Sequence, residues 1–452
     1  MINNRLVTAI LLIVLITQAV LSCNFIATTK AQTKPDVYIG VDVAYGGVAD
    51  AKSVIDQVSS YTNLVVFGST QVTWFPDRVN ETFQYAYDKG LSIISLPPSL
   101  QGNSVYMTSS EWYSYAQSSW GSKLLGFYVL DEPGGRQLDG VEAYMGNGPG
   151  MNQSLVPHSY AEAANIFTAT VRNRIGGYGV LDSYKTFTSD YALYWYDYKA
   201  GYDTVFTEIG GNYSQQVNIA LCRGAATAQN KDWGAIITWK YNAYPWIESP
   251  QELYNSMVLA YDNGAKYIIV FDSNEQGGSI LTQQHLDAIQ QFWNYAQNNP
   301  PKTSPASQRT AYVLPDAYGF GFRWPTDHIW GLWQADELSS NITTSVGSLL
   351  SQYGEKLDIL YDDGLQSGNN GYNQLIFWDA YDPTPTPSTS PPPTPTPTPS
   401  PTPSPTPNNT LQEHLPLIII STVASAIIIS VYYVLLLKRS QRKKTKNIDA
   451  PT

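Results

Sequence analysis

Residues 37–69 read VYIGVDVAYGGVADAKSVIDQVSSYTNLVVFGS. Val37–Ala44 is a short β-rich run, Ala49–Ser60 carries a helical pattern, and Leu64–Ser69 is a second short apolar run. Strand, helix and strand at this spacing specify two parallel strands joined by a right-handed crossover. The alternation continues outward along the chain. Further strands are predicted at Leu91–Leu96 (LSIISL), Leu124–Leu130 (LLGFYVL), Lys185–Ser189, Thr204–Glu208, Ala235–Lys240 and Lys266–Asp272. Helices are predicted at Val79–Asp88, Ser110–Trp120, Tyr160–Arg174, Asn212–Gln229, Pro250–Asn263 and Thr282–Asn298, with an aromatic, ambiguous one at Tyr191–Ala200. Lys89-Gly90, Trp120-Gly121 and Asn263-Gly264 end helices, as glycine does where a left-handed cap is needed.

Eight such units predict an α/β fold, a (β/α)8 TIM barrel over residues 36–300. An open doubly wound sheet would bring a glycine-rich phosphate loop after its first strand, and Tyr45-Gly46-Gly47 is too little for one. Asn298–Ser307 reads as a linker. Beyond it, residues 308–380 predict a small C-terminal α/β domain, with strands at Ala311–Leu314, Lys356–Tyr361 and Leu375–Trp378 and a helix at Ser339–Tyr353. Its aromatic runs Arg323-Trp324-Pro325 and Trp330-Gly331-Leu332-Trp333 have no assignment from sequence.

The two ends predict a topology. Residues 1–31 read as a signal peptide, with an apolar run at Leu6–Leu21 and cleavage after Ala31. The alternative is the lipobox-like Val20-Leu21-Ser22-Cys23. Leu415–Leu437 is 23 residues without a charge, enough to span a bilayer as a helix. The basic tail 438–452 follows, which the positive-inside rule places in the cytoplasm. Residues 383–410 form a Pro/Thr/Ser-rich stalk, extended by its alternating prolines and open to O-glycosylation. N-glycosylation triplets stand at Asn80, Asn152, Asn212, Asn341 and Asn408. The expectation is a single-pass protein of a prokaryotic cell surface, its N-terminal ectodomain outside and the membrane a partner through its C-terminal helix.

Charge and composition narrow the function. The net charge of -11 argues against nucleic acid, since phosphate binding needs a basic face. Two cysteines and four histidines exclude a disulfide scaffold and leave little for a thiolate or imidazole metal cluster. No cofactor and no metal is expected, and no EF-hand spacing of oxygen ligands is present.

Barrel enzymes carry their chemistry at the C-terminal strand ends. Here those ends collect carboxylates: Asp42, Asp131-Glu132-Pro133, Asp190, Glu208 and Asp272. Carboxylates beside an apolar core are costly, so their concentration invites a functional reading. Two carboxyls across a pocket, one protonated and one ionised, are the equipment of glycoside hydrolysis. Glu132 and Glu208 form the candidate catalytic pair, with Asp131 assisting. Alternation along the strand predicts that one of Asp131 and Glu132 faces the pocket. Asp42, Asp190, Trp195, Lys240, Tyr241, Trp246 and Asp272 are candidate substrate-binding residues, the aromatic ones because sugar C–H faces stack on rings. Asp190 also fits a purely structural helix cap, and the rings also fit core packing.

Tyr128-Val129-Leu130-Asp131-Glu132-Pro133 resembles the strand-four end of several glycoside-hydrolase-type barrels, among them glycoside hydrolase family 123. The resemblance implies substrate-assisted cleavage of N-acetyl-hexosaminides, with Asp131 orienting the acetamido group and Glu132 as the acid. It covers about ten residues of the chain. In the larger retaining clan of such barrels a second carboxylate, a Glu, ends strand seven, where this chain has Lys240. The leading expectation is a cell-surface glycoside hydrolase acting on polysaccharide or glycoprotein glycans. A non-catalytic glycan-binding or adhesion barrel, or a structural surface-layer component, are the alternatives.

Overall fold

The computed structural model describes residues 36–98, 110–141, 156–177, 184–210, 213–237, 240, 247–272, 274, 278–363 and 371–381. The chain divides into two compact units, and every described residue lies in the one spanning Thr33–Pro385. The expected signal peptide, stalk, membrane helix and basic tail lie outside the described residues. Among the described residues no helix is long and apolar enough to cross a membrane.

Eight parallel strands close into a barrel in chain order. They are β1 (Tyr38–Val43), β2 (Leu64–Phe67), β3 (Ser92–Ser95), β4 (Leu124–Tyr128), β5 (Lys185–Asp190), β6 (Thr204–Ile209), β7 (Asp232–Ile237) and β8 (Tyr267–Asp272). β1 pairs with β8, Tyr38 opposite Tyr267 and Val43 opposite Asp272, which closes the ring. Between and after the strands run α1 (Val48–Val58), α2 (Thr70–Thr73), α3 (Pro76–Asp88), α4 (Ser110–Trp120), α5 (Pro133–Leu138), α6 (Tyr160–Gly176), α7 (Tyr194–Ala200), α8 (Gln215–Ala228), α9 (Pro250–Asp262) and α10 (Gln283–Asn298). The sequence reading misses the short α2 and α5, which are too brief to show a period. It also starts β7 at Ala235, three residues after the strand begins at Asp232.

Strand alternation sorts the side chains into two cores. Leu64, Val66, Ile94, Phe187, Phe206, Ile236, Tyr267 and Ile269 fill the barrel interior. The opposite faces bury Val41, Val65, Ile93, Val205, Ile237 and Ile268 under the helices. Parity therefore fixes which strand-end residues reach the mouth. On β6 the inward series is Thr204, Phe206, Glu208; on β5 it is Phe187, Ser189; on β8 it is Tyr267, Ile269, Phe271. β4 breaks step: its register against β3 shifts between Ile93 and Ile94 at Gly126. A side chain there would meet the Lys185 carbonyl oxygen at 2.0 Å, so only glycine fits this irregularity.

C-terminal to the barrel, β9 (Thr310–Leu314), β10 (Leu357–Tyr361) and β11 (Gln374–Phe377) form a parallel sheet of order β10-β9-β11, with α11 (Glu337–Tyr353) before β10. The sheet edge packs on α8. A Cβ on Gly224 would lie 2.4 Å from the Ile359 carbonyl oxygen, so the two backbones are in close contact. Arg223 on α8 is buried there. It donates from Nε to Asp358 Oδ1 at 2.7 Å, from Nη1 to Asn263 Oδ1 at 2.5 Å, and from Nη2 to the carbonyls of Glu355 and Leu357. Arg309 pairs with the other oxygen of Asp358 at 2.7 Å. Residues 315–336 run back over α5: Gln137 Nε2 donates to the Trp330 carbonyl at 2.9 Å, and Trp330 is fully buried against Tyr196 and Phe167.

Candidate active site

A cavity of about 580 Å³ opens at the C-terminal mouth of the barrel. Asp42, Tyr128, Asp131, Glu132, Ser189 and Glu208 supply its polar lining, and Val66, Leu96, Ile236 and Phe271 its apolar floor and wall. Asp131 and Glu132 both line it. This corrects the expectation of one inward and one outward residue. β4 has ended at Tyr128, and the chain passes through left-handed conformations at Leu130 (φ 57°) and Glu132 (φ 51°). Pleat alternation no longer applies on such a turn. Left-handed backbone costs a non-glycine residue about 1–2 kcal/mol, so the turn needs external support.

β5 gives that support. Asp190 accepts the backbone N–H of Gly134 at 2.5 Å, of Gly135 at 2.8 Å, of Tyr191 at 2.8 Å and of Ala192 at 3.1 Å. Glu132 N donates to the Ser189 carbonyl at 3.1 Å, and Thr188 Oγ1 donates to the Leu130 carbonyl. The first turn of α5 is thus held from below by a buried carboxylate, which also suits the positive end of a helix.

The carboxyls are wired together. Tyr128 Oη donates to Asp131 Oδ1 at 2.5 Å and contacts Ser189 Oγ at 2.7 Å. Ser189 Oγ donates to Glu208 Oε1 at 2.7 Å. Glu132 accepts a hydrogen bond from Glu208, which pulls its titration down. Larger effects act the other way. Burial, then the charges of Asp131 and Asp190, push Glu132 up to about 7. Burial, with Glu132 and Asp131 as like charges, pushes Glu208 well above the carboxylate range. Burial also raises Asp131, against the Tyr128 hydrogen bond and Arg136, which lower it. Asp42 is pushed up to about 8 by burial and then by Asp131. Near neutral pH the cluster therefore keeps its proton on Glu208 and exchanges one on Glu132.

Four expected binding residues lie elsewhere. Asp190 points outward by parity, is fully buried, and is the cap just described. It shares its pocket of protein with Asp197, whose carboxyl burial raises strongly. Asp272 also takes the outward parity, since Phe271 is the inward residue, and it accepts the Ile280 N–H at 2.8 Å. Trp195 is buried under the C-terminal sheet, against Tyr361, with Nε1 donating to Asp363. Lys240 lies past the end of β7 and pairs at 2.7 Å with Glu252, the capping residue of α9. Tyr241 and Trp246 lie outside the described residues. Two site residues escape the sequence reading, Tyr128 and Ser189. Ser189 was legible by parity, two residues after Phe187 on β5, whereas the register shift in β4 hides Tyr128 from that count. Among the described residues, no cluster of three or more His, Cys, Asp and Glu is arranged to hold a metal ion.

No family model matches the sequence. No curated protein matches it either. Among solved structures it is similar to GH5_18 from Streptomyces cattleya in complex with GlcNAc, with 11% identity and a TM-score of 0.47, over 77% of this chain and 100% of that one. It is similar to alpha-L-fucosidase isoenzyme 2 from Paenibacillus thiaminolyticus, with 12% identity and a TM-score of 0.43, over 75% and 60%. It is similar to a GH30 endoxylanase from Clostridium papyrosolvens C71, with 11% identity and a TM-score of 0.32, over 60% and 75%. Likenesses this distant assign neither family nor activity to the chain.

Proposed function

We propose that the chain is a cell-surface glycoside hydrolase acting on polysaccharide or glycoprotein glycans. The observation that carries the reading is the Glu132–Glu208 pair at the barrel mouth, with the two carboxyls titrating at different points. Glu208, the stronger holder of the proton, is the general acid toward the leaving oxygen. Glu132, ionised first, attacks the anomeric carbon or activates a water. This order puts the acid on Glu208, whereas the resemblance to family 123 implies it for Glu132. Asp131, held by Tyr128, orients a polar substituent of the sugar.

The two carboxyls line one cavity and act on each other's titration; roughly 5–5.5 Å between them would suit a retaining pair and roughly 6.5–9.5 Å an inverting one. The stalk and anchor expected from sequence equally suit a second reading, a barrel that binds glycan without turnover. The signal peptide, stalk and single membrane helix expected from sequence place either activity outside the cell, at a distance from the membrane.

The test is release of reducing sugar from a panel of polysaccharides and N-acetyl-hexosaminides. Glu132→Gln and Glu208→Gln are expected to lower kcat by about 10²–10⁴. Full activity in either variant removes that residue from the mechanism. Binding without turnover, unchanged in both, favours the glycan-binding barrel.

A further inference from the structure

A row of aromatic rings leads from the turn after β4 to the protein surface, and its outer member, Trp324, comes from the segment 315–336. Tyr191 packs on the first turn of α5, so closely that a Cβ on Gly135 would lie 2.1 Å from its ring. Its ring stacks on Tyr213 at 6.2 Å, and Tyr213 meets Trp324 at 5.8 Å. Tyr191 is 7% exposed and Trp324 48% exposed, so the row goes from buried to open as it leaves the pocket. Tyr191 packs on the first turn of the helix whose N-cap is Glu132, so the inner end of the row adjoins that turn.

Trp324 is held in place by a built support. Arg323 forms two bonds to Asp327, at 2.9 and 2.7 Å, and one to Asp139 at 2.5 Å, while Tyr191 Oη donates to the other Asp139 oxygen at 2.6 Å. The guanidinium lies over both the Tyr191 and Trp324 rings. Ala317, Phe322 and Trp330 in the same segment take left-handed backbone, a strain unusual for such residues. Folding therefore fixes a large apolar ring in water, the opposite of what core formation would select.

We propose that Tyr213 and Trp324 form a sugar-stacking subsite beside the turn that carries Glu132, contributed in part by the segment 315–336 that follows the barrel. This deepens the glycoside-hydrolase reading and rests on it for the position of the reacting bond. The face of a ring is electron-rich and attracts the C–H face of a pyranose. The acidic mouth disfavours anionic sugars, and the carboxylates of Asp139 and Asp327 already occupy Arg323. The subsite suits a neutral pyranose with mostly equatorial substituents, in gluco, N-acetylgluco or xylo configuration, within an oligosaccharide.

The experiment uses the full chain, wild type and Trp324→Ala, with cellohexaose, N-acetylchitohexaose and xylohexaose and the matching aryl monoglycosides. On the hexaose that is cleaved, KM is expected to rise by about 3- to 10-fold, with a smaller change in kcat. The loss in kcat/KM should be larger on the hexaose than on the monoglycoside. Equal loss on both, or no loss, overturns the subsite. If the wild type cleaves none of them, calorimetric titration separates the two ideas. A hexaose that binds wild type and Glu132→Gln alike, and Trp324→Ala more weakly, supports the subsite while the hydrolase reading fails. No binding of any hexaose overturns the subsite itself. Equal thermal unfolding of wild type and Trp324→Ala checks that the variant is folded.

Discussion

Replacing Asp42 by Asn should make the protein more stable at alkaline pH. Asp42 takes the last inward position of β1, is 7% exposed, and accepts the Gly68 N–H on Oδ1 at 3.2 Å. Burial first, then Asp131 and Asp272, push its carboxyl from 3.8 up to about 8, while the Gly68 bond pulls it down. In this range the folded protein holds a proton that the unfolded chain releases. The contribution of Asp42 to stability is therefore flat below about 3.8, falls as pH rises, and flattens again above about 8. Four pH decades at about 1.36 kcal/mol each give about 5 kcal/mol as the upper figure, part of it shared with Asp131. Asparagine keeps the oxygen that accepts from Gly68 and cannot ionise. Urea unfolding should find the two proteins within about 1 kcal/mol at pH 4. At pH 8.5 the variant should be more stable by about 3–5 kcal/mol. Equal midpoints at pH 8.5, or a less stable variant, would refute the claim that a protonated Asp42 is built into the fold.

The rate should show the same cluster from the functional side. kcat/KM should rise with an apparent pKa near 7, as Glu132 ionises, and Asp131→Asn should move that limb to lower pH, because the Asp131 charge is one of the forces raising it; a limb that stays in place would exclude this coupling. Arg223→Met removes the main buried link between α8 and the C-terminal sheet and leaves Asp358 with fewer partners. A loss of about 3–5 kcal/mol in urea unfolding is expected, and a loss below about 1 kcal/mol would show that the α8–Ile359 packing alone holds the sheet.

The strand–helix alternation was legible because each strand is a short apolar run and each crossover ends on a turn signal. The carboxylates at the strand ends were legible too, but not which way each one faces. Asp190 and Asp272 are the final residues of their strands, yet the inward places belong to Ser189 and Phe271, one position earlier. Counting in twos from the apolar interior residues would have separated them. Asp131 and Glu132 defeat the same count, because left-handed backbone at Leu130 and Glu132 is not signalled by residue type. Trp195 failed for a different reason. Tyr194, Trp195, Tyr196 and Tyr198 are all buried because α7 lies between the barrel and a second packed layer. Nothing local in the sequence marks that layer, so the rings read as a sugar platform. The platform that the structure offers comes from Trp324, more than a hundred residues later in the chain.

The turn after β4 joins stability to chemistry. Two left-handed residues cost about 2–4 kcal/mol, and Asp190 helps to offset this by accepting the N–H groups of Gly134 and Gly135. Those bonds favour the ionised carboxylate, yet full burial pushes Asp190 up to about 7. Burial, and then the charge of Asp190, also push Asp197 well above the carboxylate range. Asp190 in turn raises Glu132 through its charge. One buried carboxylate thus fixes the backbone that aims Glu132 into the pocket and helps to keep Glu132 protonated until near-neutral pH. A structural cap that the parity of β5 hides from the pocket is, by this route, a positioning residue for the pair within it.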